Sequence, residues 1–434
     1  MKLNYTLLCT ALLIFLISCK SDDDALVSNE PDAITRTALI YIVADNNLNS
    51  YAAVDVDEMI DGYSKVEDPE NNNLLVYIDD YKTPRLLHIT KEAGKVVTDT
   101  LYNYEEQNSL NITNMSGVIN QAFSDYPATS YGLVLWSHAN GWLPGTLQDD
   151  VTTKAFGEDL DNNAFSDEGA QMDIIDLKTA LTAVPKLEYI LFDACDMQGI
   201  EVAYELRNIA DYFISSPSEV PSNGAPYEDV VESLFSQGDV ANDIARAYYG
   251  YYQTNYDYGS NTNNSSEYSN GISISVIESS QLEALAAATR NILTQHINNG
   301  SSIETTDIYS YDDNYYNFYY DFDSFIKYLT AEDASYLTWL EAYKNAVPLF
   351  LTTDYTYSSY TDDGSGGMYS SAEATGISTY IPSNSNFLEA YYWSDYLTKN
   401  PDQKSAIEDY QLSYNNYYKR FSWYSASGWS ETGW

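Results

Sequence analysis

Three cysteines and three histidines are all this chain offers for thiol and imidazole chemistry. Cys9 lies inside an N-terminal apolar run and Cys19 closes that run in the string LISC, which leaves Cys195, in LEYILFDACDMQG. His138 stands in YGLVLWSHANGW, 57 residues upstream (138 to 195), and each of these two residues follows a short apolar run with the character of a buried strand. An ordinary thiol, with a pKa of about 8.5, is mostly protonated at neutral pH, so a cysteine nucleophile needs a base held close on a rigid frame. An imidazole can take that proton and later return it to a leaving amine. The backbone N–H groups of Ala139 and Cys195 are candidate donors to a developing oxyanion, a role worth roughly 3–4 kcal/mol per donor in other enzymes. By residue type alone, a buried cysteine after a strand is more often a small core residue; the placement of both groups at strand ends is what favours chemistry. His88 alternates within the strand-like RLLHIT, and His296 sits near a helix end, where a cation suits the dipole; both read as structural.

The elements that must position the pair follow from the periodicity. Apolar runs at 37–47, 72–81, 131–138, 187–194 and 211–221 alternate with helical patterns in LNSYAAVDVDEMIDGY, NITNMSGVINQAFSDYP, MDIIDLKTALTAVP and GIEVAYELRNIA. Strand–helix alternation predicts a parallel sheet with helices on both faces, and continuous apolar runs fit strands buried on both sides. RLLHIT and KVVTDTLYNY form a hairpin around Glu92-Ala93-Gly94. In such sheets ligands collect beyond the carboxyl ends of the strands, which is where His138 and Cys195 fall if their strands are neighbours. Further along, NGISISVIESSQLEALAAATRNIL predicts a strand running into a helix, FDSFIKYLTAEDASYLTWLEAYKNAVPLF is mostly helix, SAEATGISTYIPS (371–383) is a late strand, and NFLEAYYWSDYLTKN is a helix. The low-complexity stretch from about 250 to 270 reads as a surface loop.

The first 18 residues have a positive start at Lys2 and an apolar stretch too short to span a bilayer comfortably, the pattern of a secretion signal. Leu16-Ile17-Ser18-Cys19 resembles a bacterial lipobox, with lipidation expected on Cys19, and residues 19–35 read as an acidic, disordered tether. An acidic run at that place resembles a surface-export signal of bacterial lipoproteins, so the expected location is the bacterial outer membrane or cell surface, on a lipid anchor. The expected division is then 36–250 as a catalytic core and 251–434 as a part that completes the sheet and adds a helical, Tyr-rich elaboration. One cysteine in the mature body allows no intramolecular disulfide. The net charge of −44 argues against nucleic acid and anionic membrane surfaces as partners and favours cationic ones. The 43 tyrosines suggest either glycan-binding surfaces or a composition habit of secreted proteins, and the second is preferred. No zinc constellation, phosphate-binding glycine loop or basic patch is present. Asp159, Asp161 and Asn163 open like a calcium-binding EF-hand loop, but Ala164 stands where Gly is needed and Ala170 where the bidentate Glu is needed.

Several strings, in order, resemble the clostripain family of cysteine peptidases, relatives of caspases, gingipains and legumain. ALIYIVADNNL is similar to the family's opening strand and turn, LVLWSHANGW to its histidine motif, ILFDACDMQGIEVAYEL to its cysteine motif, SSPSEVPSNGAPY to the segment after the next strand, and TGISTYIPS to its late strand. The match covers most of 36 to about 385 and is most specific between 131 and 230. The resemblance implies a caspase-like α/β/α sandwich with a mostly parallel central sheet and a C-terminal elaboration. It implies Cys195 as nucleophile, His138 as general base, and Asp193 as an acid of the specificity pocket, selecting Lys or Arg before the cut in a peptide or protein substrate. It also implies a zymogen cut between the two motifs. The single basic residue there is Lys154, so self-processing would fall between Lys154 and Ala155. Calcium is a candidate cofactor, with no ligands assigned. Two positions depart from the family pattern. Ala139 replaces a common Gly and would be strained if the backbone needed a positive φ. Asn223 stands where some relatives carry a second acid, with Glu219 the candidate to compensate. These departures leave a second expectation, a catalytically weak or inactive surface lipoprotein that binds peptide or glycan on the same frame. A glycosidase has no motif to support it.

Overall fold

The computed structural model describes residues 35–147, 151–152, 155–161, 169–257, 270–358, 367–383 and 386–434. Residues 34–434 form one compact unit, around a nine-stranded sheet. Its strands are β1 (Arg36–Val43), β2 (Asn72–Asp80), β3 (Lys82–Glu92), β4 (Lys95–Asn103), β5 (Ser130–Trp136), β6 (Leu187–Asp193), β7 (Ala210–Ser215), β8 (Ser273–Glu278) and β9 (Leu349–Thr352). Across the sheet they run β9-β8-β7-β6-β5-β1-β2-β3-β4. The central five, β7-β6-β5-β1-β2, are parallel, and antiparallel strands close both sides. The hairpin of β3 and β4 turns on Ala93 (φ 50°) and Gly94 (φ 79°), the two consecutive left-handed residues of a type I′ turn.

The helices are α1 (Asn49–Tyr63), α2 (Ile112–Asp125), α3 (Ile174–Thr182), α4 (Ile200–Leu206), α5 (Tyr227–Ser233), α6 (Val240–Asn255) and α7 (Leu282–His296), followed by others nearer the C-terminus. Side chains of a strand alternate between faces, and each face of β1 builds its own core. Leu39, Tyr41 and Val43 join Met115 and Ile119 of α2, Leu177 of α3 and Leu285 of α7. Ala38, Ile40 and Ile42 join Met59 of α1, Val230 of α5 and Ile244 of α6. The result is the expected α/β/α sandwich. The start of α2 is fixed by Asn111, whose Oδ1 accepts the N–H groups of Thr113 (2.9 Å) and Asn114 (3.4 Å).

Two readings need correction. Of the predicted late strand at 371–383, only Ser378–Thr379 pairs, with Tyr320–Asp321 and outside the main sheet. The sheet position beside β8 is taken by β9, and the late segment instead crosses the strand ends, where Ser378 N–H donates to Gln198 O (3.0 Å). The loop read from about 250 is helix as far as Asn255, with Tyr248 and Tyr252 buried. The stretch read as mostly helix through Phe350 is so: it forms helices at Phe322–Thr330 and Ala334–Ala346, divided at Ala331 (φ 47°) and Glu332 (φ 60°), before β9 begins. Many tyrosines are core residues. Tyr380, Tyr414 and Tyr418 surround Trp142, the last residue of the HANGW string, with ring centroids 4.5–6.3 Å away. Among the described residues no helix is long and apolar enough to cross a membrane. The expected signal peptide, Cys19 and most of the tether lie outside the described residues.

Candidate active site

β5 and β6 are adjacent and parallel, with Trp136 paired to Asp193. His138 and Cys195 therefore stand level, each two residues beyond the last paired position. Both line one cavity of about 370 Å³, together with Ala139, Asp193, Glu219, Val220 and Tyr357. Gly141 lets the two loops approach this closely. Its φ is +54°, and a Cβ there would lie 2.5 Å from the Asp196 carbonyl oxygen. Ala139 is not among the residues with positive φ, so the strain expected from the absent glycine does not arise.

The loop after β5 is tied to the strand Phe156–Asp159. Asn140 N–H donates to Ala155 O (3.0 Å) and Gly157 N–H to His138 O (2.8 Å). Ala155 is fully buried, while Lys154 lies outside the described residues. The imidazole Nε2 of His138 meets Asn47 Oδ1 at 2.5 Å. Asn47 belongs to the turn between β1 and α1, and that turn is fixed by its neighbour. Asn46 Nδ2 donates to Val43 O (3.1 Å) and to Glu158 O (2.7 Å), and its Oδ1 accepts Leu48 N–H (2.8 Å).

Cys195 is half-buried. Its sulfur accepts Val220 N–H (3.4 Å), and its thiol donates to Val220 O (3.7 Å). Burial pushes the thiol well above its ordinary pKa, and the carboxylates of Asp196, Glu219 and, more weakly, Asp193 add to this, against the Val220 N–H bond. A thiol held up in this way favours its protonated form. Asp196 itself is buried at φ 59°. Burial, then Glu219 and Asp312, hold it well above the usual carboxylate range.

Asp193 forms part of the cavity lining and is almost fully buried. Ala225 N–H donates to both of its oxygens (3.0 and 2.9 Å), Tyr227 OH to Oδ2 (2.9 Å) and Tyr248 OH to Oδ1 (2.8 Å). Burial raises its pKa and these donors oppose the rise. Gly224, at φ +59°, admits the carboxylate: a Cβ there would lie 2.7 Å from Oδ2. Behind it, Asp55 accepts Trp136 Nε1–H (2.8 Å). Burial, then the charges of Asp193 and Glu58, push Asp55 up to about 9. Glu219 lines the cavity, whereas Asn223 is not among the residues that line it.

Sequence reasoning missed Asn47, Asp55 and Asp196. Asp55 had a signal, since it shares a helical face with Ala52 and Met59 and so puts an acid in a core stripe. Asn47 had only its place at the end of the first strand. His88 packs on the Tyr126 ring (4.6 Å) and His296 lies in the last turn of α7, neither at the cavity. Among the described residues no group of three or more His, Cys, Asp or Glu side chains is placed to hold a metal ion.

A thiol and an imidazole, level at neighbouring strand ends, line one cavity of an α/β/α sandwich of the caspase-like class. Within that class the chain belongs to the clostripain family of cysteine peptidases, whose model matches residues 40–434. It is 39% identical to a secreted C11 cysteine protease from Bacteroides thetaiotaomicron solved with an irreversible peptide inhibitor; the match covers 91% of this chain and 99% of that one, with a TM-score of 0.74. An inactive zymogen C11 protease from Parabacteroides distasonis is 28% identical over 92% of this chain and 99% of its own, with a TM-score of 0.71. Clostripain from Hathewaya histolytica is 26% identical over 235 residues, 48% of this chain and 43% of that protein, so the match spans less than half of that curated relative.

Proposed function

We propose that this peptidase cleaves polypeptides after Lys or Arg through a Cys195–His138 dyad. The observation that carries the reading is the shared cavity of His138, Cys195 and the buried acid Asp193. His138 accepts the thiol proton and the sulfur attacks the scissile carbonyl carbon. The carbonyl electrons move to oxygen, where the backbone N–H groups of Ala139 and Cys195 are the assigned donors. The intermediate collapses, the C–N bond breaks, and the departing amine takes the proton from His138. Water, deprotonated by His138, then attacks the thioester, releasing the acid and restoring the thiol. Asp193 holds the cationic side chain preceding the cut, with Glu219 as a second carboxylate in the same cavity.

A protonated thiol in the uncut chain suits a zymogen, and a solved relative is named as one. Cleavage is assigned between Lys154 and Ala155. Mapping chain ends in wild type and Cys195→Ala tests it; an intact wild-type chain with full activity refutes processing as activation. Cys19 is assigned as the lipid anchor at the bacterial surface. Cys19→Ala should move the protein from membrane to medium, and unchanged membrane fractionation refutes the anchor.

The test of the whole reading is covalent labelling. Acyloxymethyl ketones ending in Lys or Arg should modify Cys195 in wild type and fail in His138→Ala. Labelling that is indifferent to His138 refutes the dyad. Labelling by an Asp-ended probe but not by Lys- or Arg-ended ones refutes the pocket assignment alone.

A further inference from the structure

The dyad leaves one polar contact unexplained: the His138 ring meets an exposed asparagine from a different strand end, 91 residues away in sequence. Contacts between exposed polar side chains are commonly of little consequence. This one differs because both partners hang from the same frame. Val43 O, at the end of β1, accepts from Asn46 Nδ2 (3.1 Å) and from Ser137 Oγ (2.8 Å), the residues preceding Asn47 and His138. The strand Phe156–Asp159 holds both loops again. Gly157 N–H donates to His138 O (2.8 Å), Glu158 O accepts from Asn46 Nδ2 (2.7 Å), and Leu160 N–H donates to Asp45 O (3.0 Å). Neither residue can move far without the other.

The chemistry of the contact is directional. An amide oxygen only accepts, so this contact favours the hydrogen on Nε2, and in the neutral ring that leaves the lone pair on Nδ1. That is the tautomer a base for the thiol requires. We infer that Asn47 is a positioning residue of the catalytic histidine: it fixes the ring orientation and holds the proton on Nε2, leaving Nδ1 as the atom that receives the Cys195 proton. This rests on the reading of His138 as the base. Being a neutral amide, Asn47 orients the ring without the charge that would hold the imidazolium, so the proton remains free to pass to the leaving amine.

The experiment uses the full active chain with Asn47→Ala, Asn47→Asp and His138→Ala, a fluorogenic peptide ending in Lys, and ¹⁵N spectra of labelled histidine, with the His138 signals assigned by their loss in His138→Ala. Asn47→Ala should lower kcat roughly 10–100-fold, the range seen when a partner that orients a histidine is lost, with KM within about twofold. Its His138 signals should move from the Nε2–H form toward a mixture. Asn47→Asp keeps the acceptor and adds a charge, so it should recover turnover and move the acid limb of the pH profile to higher pH, since a nearby carboxylate favours the imidazolium. Wild-type kcat and an unchanged ¹⁵N spectrum in Asn47→Ala, with His138→Ala inactive, would overturn the role of Asn47 alone. A rise in KM equal to the fall in kcat, with no tautomer change and no recovery in Asn47→Asp, would also overturn it. Full activity in His138→Ala would overturn the dyad itself.

Discussion

Gly141→Ala places one methyl group between the loops that carry His138 and Cys195. The left-handed backbone at φ +54° costs an L-residue about 1–2 kcal/mol. The new Cβ would sit 2.5 Å from the Asp196 carbonyl oxygen, where a carbon–oxygen contact needs roughly 3.3 Å or more. That oxygen belongs to backbone and has no rotamer to escape into, so the loops must part by most of an ångström. A displacement of about 1 Å costs roughly 10² in rate when reacting groups must meet in a fixed geometry, or about 2.7 kcal/mol of barrier. The expected result is a kcat/KM about 100-fold lower on a Lys-ended fluorogenic peptide, with a loss of stability of roughly 1–3 kcal/mol in urea unfolding. Gly117→Ala is the control, because its Cβ meets nothing within 4 Å and it lies within α2; it should be active and more stable by about 0.5–1 kcal/mol. Wild-type kcat/KM and unfolding midpoint in Gly141→Ala would refute the claim that contact between these loops sets the distance from sulfur to imidazole.

Asp193→Asn keeps the shape and removes the charge: kcat/KM for Lys-ended peptides should fall roughly 10–150-fold, the ~1.5–3 kcal/mol of a charged hydrogen bond, while a neutral residue before the cut is cleaved no worse, and equal losses on both would refute the pocket assignment. Glu219→Gln removes one of the charges that hold the thiol up, so the midpoint of Cys195 alkylation by iodoacetamide should move to lower pH; an unmoved midpoint would refute that coupling. Asp55 is neutral in the fold, pushed up to about 9 from 3.8, so its contribution is complete below pH 4 and is lost as pH rises toward 9. Asp55→Asn should therefore gain stability over wild type as pH rises from 4 to 8, by up to about 1.4 kcal/mol per pH unit, and equal it near pH 4; a difference independent of pH would refute the buried neutral acid.

The placement of His138 and Cys195 at adjacent strand ends was legible because β5 and β6 are saturated with apolar residues, so both strands could be placed by inspection and their ends inferred. Asn47 was not, because its meaning lies in a contact across the sheet edge that no local pattern records. Two long helices, α6 and Lys404–Tyr418, escaped for a different reason. Their buried faces are built on tyrosine: Tyr248 and Tyr252 in one, Tyr414 and Tyr418 in the other. Hydropathy scores that residue as nearly neutral, so a helix that buries it one turn apart shows little amphipathic contrast. The late segment at 371–383 misled in the opposite sense. Its apolar residues fit a strand, but they are buried because the segment covers the strand ends, where Glu201 accepts from Thr379 Oγ1 and Tyr380 N–H (both 3.0 Å).

The side-by-side placement of β5 and β6 has one more consequence. Every sheet strand up to β5 precedes the assigned cut, and every one from β6 onward follows it. A nicked molecule would be two polypeptides whose shares of the sheet meet only between β5 and β6, one carrying the imidazole and the other the sulfur. Before the nick, recovery from unfolding is unimolecular. Afterwards it depends on two partners finding each other, and so on their concentration. At high dilution, one denaturing episode would retire a nicked molecule for good.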